Sequence, residues 1–90
     1  MKLVIVKHFS SNEKYLFAVP DKESVYASRV VLCDTEHGDQ YGLAVCDSFR
    51  VDEDDELDVL FKAFKTDKKS LRYIKGSSWM NIWKTEAESV

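Results

Sequence analysis

Arg29-Val30-Val31-Leu32-Cys33-Asp34-Thr35, then Glu36-His37-Gly38-Asp39, then Gln40-Tyr41-Gly42-Leu43-Ala44-Val45-Cys46 is the stretch on which the fold turns. Two runs rich in β-branched and apolar residues flank a short polar segment with a glycine, the pattern of an antiparallel hairpin. Arg29–Thr35 and Gln40–Val51 are its predicted strands, with His37-Gly38 at the turn and glycine supplying the positive φ. A hairpin centred there pairs residues whose numbers sum to 75, so Cys33 faces Gly42 and Cys46 faces Arg29. One face carries Val30, Leu32, Leu43 and Val45, the other Val31, Cys33, Ala44 and Cys46. Both faces are apolar, so the hairpin is expected to be covered on both sides. Gly42 inside the strand points to a bulge or a close backbone approach.

Working outward, Lys2–Phe9 reads as a first strand and Ser10-Ser11-Asn12-Glu13 as a turn. Lys14–Val19 alternates as a second strand that Pro20 ends, because proline donates nothing to a ladder. Asp21–Ser28 is a polar loop, with Val25 and Tyr26 as its anchor into the core. Asp52–Thr66 is the predicted helix: Leu57, Leu60, Phe61 and Phe64 form one apolar stripe, expected to pack on the second face of the hairpin. Asp52 or Asp54 is the expected N-cap, and acids near the start with Lys62 and Lys65 near the end suit the helix dipole. Leu71–Lys75 is a final short strand, Gly76-Ser77-Ser78 a break, and Trp79-Met80-Asn81-Ile82-Trp83-Lys84 an aromatic tail.

The fold class this implies is α+β: a curled antiparallel sheet of about five strands, barrel-like, with one amphipathic helix against it and a short aromatic C-terminal tail. Residues 1–76 form a single barrel-plus-helix domain, and 77–90 pack on it or on a partner. Ninety residues leave room for one core, and such a domain buries only about 60–65% of its unfolded surface.

The order strand, Tyr-x-Phe-x-Val-Pro, loop, Val-x-Leu-x-Asp-Thr-x-x-Gly-x-x-x-Gly over Lys2–Asp52 resembles small SH3-like β-barrel modules. It is similar to the N-terminal DNA-binding domain of primosomal replication helicases and to the C-terminal domain of polymerase-suppressor-type bacterial proteins. It is closer still to short proteins of bacterial phages and mobile elements that pair such a barrel with one helix. The resemblance implies a binding module in a bacterial cytoplasm. Related modules place Gly-Asp or Gly-Gln before the third strand, where this chain has Ala27-Ser28.

Composition narrows the chemistry. The net charge of −3 lowers the expectation of nucleic-acid binding through bulk charge, although a local patch is compatible with it. Met1–Lys7 has too few uninterrupted apolar residues for a signal core, and no stretch approaches the roughly 18 of a membrane span. Both cysteines read as reduced. An EF-hand loop from Asp52 would need glycine and glutamate where Leu57 and Ala63 stand. His8, His37, Cys33 and Cys46 lack zinc spacing, and a cysteine on an apolar sheet face is a poor nucleophile. No metal, cofactor or enzymatic activity is expected.

Two surfaces remain as candidates. Lys62, Lys65, Lys68, Lys69, Arg72 and Lys75, with Tyr73 among them, form a basic run suited to a single strand of nucleic acid; its bland reading is a solvated helix end and loop. Tyr15, Tyr41 and Phe49 are candidate rings beside it. Trp79, Met80, Ile82 and Trp83 form a docking or self-association segment, or else close the bottom of the barrel. A homodimer by exchange of this tail is the matching expectation. The partners expected are therefore nucleic acid or another protein, and no membrane.

Overall fold

A computed structural model describes residues 1–77, 82 and 83. The elements are β1 (Lys2–His8), β2 (Lys14–Val19), β3 (Val30–Thr35), β4 (Gly38–Ala44), β5 (Phe49–Arg50), α1 (Asp54–Ala63) and β6 (Ile74–Ser77). The antiparallel strand order is β2-β1-β4-β3-β6, with β5 added to β1. The sheet curls until its two ends meet. Ala18 of β2 bridges Tyr73 just ahead of β6, and the Ala18 N–H donates to the Arg72 carbonyl at 2.8 Å.

Alternation along β1 explains why two cores form. Val4 and Val6 point inward with Phe17, Val19, Val25, Val31, Cys33, Ala44, Ile74 and Trp83. Leu3 points outward, where Leu16, Val51 and Phe61 meet it, with Ile5, Leu57, Leu60 and Phe64 packed around them. Each fully buried aliphatic side chain contributes about 1.5–3 kcal/mol. The helix therefore covers the outer face of β1 and β2 rather than the hairpin. The outward residues Val30, Leu32 and Leu43 of β3 and β4 are only half-buried, and Val45 is exposed. The chain leaves β4 at Ala44, and the loop after it is tied elsewhere. Val25 N–H donates to Ser48 Oγ at 3.1 Å and Ala27 N–H to Asp47 Oδ1 at 2.8 Å. These contacts seat Val25 in the core, whereas Tyr26 stays exposed.

The hairpin register differs from the expected one by two residues: Cys33 faces Gln40, Val31 faces Gly42, and Thr35 faces Gly38. Its loop is Glu36-His37. Gly38 has φ +95°, Thr35 Oγ1 donates to the Gly38 carbonyl at 2.5 Å, and the His37 N–H donates to Thr35 Oγ1 at 3.2 Å. A slip of two keeps every side chain on its face, so the inward set Val31, Cys33 and Ala44 is buried as expected. Both cysteines are free thiols.

Gly42 is a close-approach glycine. A Cβ there would lie 2.5 Å from Val6 Cγ1, 3.0 Å from the Lys7 carbonyl oxygen and 3.2 Å from His8 Nδ1. Since the Lys7 oxygen is backbone and β1 is held on both sides, Gly42→Ala is expected to cost about 2 kcal/mol. Urea unfolding monitored by tryptophan fluorescence measures it; an unchanged midpoint would mean that β1 and β4 separate freely.

The helix is shorter than its apolar stripe suggests. Glu53 occupies the N-cap position without a side-chain cap bond, and Asp52 instead accepts from the Met1 amino group at 2.8 Å. At the other end the Thr66 N–H bonds the Phe61 carbonyl and the Lys65 N–H bonds that of Lys62, at 2.9 and 3.2 Å. This is a Schellman closure with Lys65 at φ +55°, the place usually given to glycine. The final strand runs through Gly76 and Ser77 instead of breaking there, because Leu32 pairs with Gly76 and Val31 with Ser77 across a bulge. No helix of the described residues is long and apolar enough to cross a membrane.

Candidate functional site at the mouth of the barrel

The inward face of β1 ends in His8, a polar residue in register with Val4 and Val6. His8 is buried, its Nδ1 is 3.4 Å from the Tyr41 carbonyl, and its ring lies 5.2 Å from Tyr15 and 5.8 Å from Phe17, the latter edge-on. Around these rings opens a cleft of about 710 Å³. One wall is the first half of β2, Lys14–Phe17. Facing it are the tip of the β3–β4 hairpin, the end of α1 with its Schellman turn, and Ser70 and Arg72.

Charge in this cleft is balanced. Lys14, Lys65 and Arg72 line it, and so do Glu13, Asp34 and Glu36. Arg72 donates to Asp34 Oδ2 at 3.3 Å, and the Tyr15 hydroxyl donates to Glu13 Oε2 at 3.0 Å. Both bonds are exposed, so they orient side chains more than they stabilise the fold.

The basic run does not share one face. Lys65 and Arg72 reach the cleft, whereas Lys62 and Lys68 line a separate depression with Asp54, Asp58 and Asp67. Lys69 is exposed. Tyr73 is half-buried on the far side of the Ala18 bridge, beside Met1, Pro20 and Arg50. Lys75 pairs with Asp39 at 3.0 Å. The left-handed turn at Lys65 contributes, because it redirects the chain between Lys62 on α1 and the residues that follow. Of the candidate rings, Tyr15 lines the cleft, Tyr41 is exposed outside it, and Phe49 packs against the helix side. In the tail, Trp83 is buried in the inner core and its N–H donates to the Lys75 carbonyl; Ile82 is exposed. Trp79 and Met80 lie outside the described residues.

His8, Lys14, Phe17, His37 and Phe64 belong to the cleft but not to the sequence candidates. His8 had a legible signal, a histidine on the apolar side of an alternating strand. Lys14 and Phe64 had none, since only the packing of α1 on β2 brings them together.

Burial pushes the Cys33 thiol up from 9.0 to about 12. The folded pKa lies above the unfolded one, so the associated stability is intact below about pH 9 and is lost as pH rises toward 12. The expected loss is up to about 1.4 kcal/mol per pH unit in that window. Urea midpoints for the parent and Cys33→Ala at about pH 8 and about pH 10.5 check it. Equal pH dependence in the two proteins would remove Cys33 as the cause.

No known protein-family model matches the chain, and it has no significant match among curated proteins or solved structures.

Proposed function

We propose that this chain is a non-enzymatic binding module, an SH3-like barrel of the phage and mobile-element type acting in a bacterial cytoplasm, with the barrel-mouth cleft as its site. The observation that carries this reading is the cleft itself: rings at its floor, balanced charge at its rim, and walls from three separate elements. Balanced charge favours a polypeptide partner over a polyphosphate, because phosphate binding draws on an excess of cations.

Nucleic acid is the second reading. It is favoured by one arrangement: Lys14, Lys65 and Arg72 surround Tyr15 and His8, so cations and stackable rings share a groove. Labelled single- and double-stranded oligonucleotides, titrated at about 50 and 200 mM salt, separate the two. The polypeptide reading expects no salt-steep binding. Tight binding at low salt that weakens sharply at high salt, and is lost in Lys14→Ala with Lys65→Ala, would replace it with the nucleic-acid reading.

A further inference from the structure

The barrel is sealed at Ala18 but open beyond it. Because the Ala18 N–H donates away from β1 to Arg72, the alternate residues Leu16 and Lys14 also direct their N–H and C=O groups away from β1. The neighbouring strand agrees: Ile5, opposite Leu16, accepts on its other side from the Val45 N–H at 3.0 Å. Among the described residues no backbone or side-chain group takes the outward N–H or C=O of Lys14 or Leu16. Across the cleft, the last partner along β3 is Tyr73, whose carbonyl accepts from the Asp34 N–H at 3.1 Å, and Thr35 lies past it. The cleft is therefore a seam between two strand edges.

We infer that this seam takes an extended, acid-bearing peptide segment of a partner protein, added as a strand along the Lys14–Leu16 edge of β2. The inference rests on the binding-module reading above. Main-chain bonds to Lys14 and Leu16 supply register, and side chains alternate between two apolar walls. Tyr15, Phe17 and His8 form one wall and Leu16 and Phe64 the other. Charge selects the partner. Arg72 is engaged by Asp34 and Glu13 accepts from the Tyr15 hydroxyl, whereas Lys14 and Lys65, and Glu36 at the hairpin tip, have no ion pair among the described residues, so an acidic side chain set toward the β2–α1 side of the seam meets two free ammonium groups.

The test uses a displayed library of random short peptides selected on the parent protein, followed by binding of the enriched peptides to Lys14→Pro and Lys65→Glu. Lys14 is exposed and its N–H points outward, so proline removes the donor without touching the β1–β2 ladder. The expected results are enriched peptides that alternate apolar residues with an acid, and a loss of about tenfold in affinity for Lys14→Pro. Lys65→Glu weakens these peptides as well. In the complex with the parent, amide exchange at Lys14 and Leu16 slows, a readout that does not depend on the proline variant folding. Enriched peptides that bind Lys14→Pro as tightly as the parent, and leave those two amides unprotected, would overturn strand addition and leave the binding-module reading intact. A library from which the parent enriches nothing would overturn strand addition and the polypeptide reading of the cleft together.

Discussion

Trp83→Ala is expected to cost about 4 kcal/mol, the usual range for emptying an aromatic site in a core. The indole sits in the inner cluster with Val4 and Val6 of β1, Val31 of β3 and Ile74 of β6, so it joins β1 to the β3–β6 pair, with which β1 has no direct pairing. Its backbone is tied to Lys75, and Ile82 bridges Gly76, so the segment extends the β6 edge. Small domains have net stabilities of about 5–15 kcal/mol, so this single change takes a large share. Urea unfolding gives the loss, and sedimentation equilibrium of parent and variant gives the mass. A parent dimer that becomes a stable monomer on substitution would make the tail an interface instead of a core segment.

Phe61→Ala is expected to be as costly, about 3–5 kcal/mol, but local in its effect. Phe61 is the buried residue of α1, and Leu57, Leu60 and Phe64 are only half-buried beside it. A ten-residue helix has little stability by itself in water. Its order depends on the ring that docks against Leu3, Leu16 and Val51. The variant should lose helical ellipticity and amide protection in 54–63 at lower denaturant than it loses the sheet. The cleft wall at Phe64–Thr66 goes with the helix, so peptides selected on the parent should bind it poorly. A single cooperative transition with helix and sheet lost together would show that α1 is held by the rest of its face.

Much of the strand layout was readable because alternation is a local property. Lys14–Val19 has the expected bounds, and Val31, Cys33 and Ala44 share the buried face although β4 begins at Gly38, two residues earlier than expected, and the register shifts by two. The choice of Glu36-His37 as loop rests on the Thr35 hydroxyl and the Gly38 φ, which the apolar pattern does not contain. The helix was visible from its stripe, but its docking surface was not. Leu3 with Leu16 and Val31 with Cys33 are equally apolar pairs, and nothing local says which of them the stripe covers. The basic run is continuous only along the chain, because the left-handed Lys65 turns the backbone away from that line.

The sequence by itself determined the elements: period-two alternation in β1 to β4, a 3.6-residue stripe in α1, a proline stop after β2, and a glycine at the one position where β1 and β4 approach too closely for a Cβ. Those features act over a few residues, through sterics and solvent exclusion. Only the tertiary structure decided that the ends of the curled sheet join at Ala18 and Tyr73, that Trp83 enters the inner core, and that an open seam remains beside His8. Each depends on contacts between segments far apart in the chain, whose free energy arises from mutual burial and is encoded in no single segment.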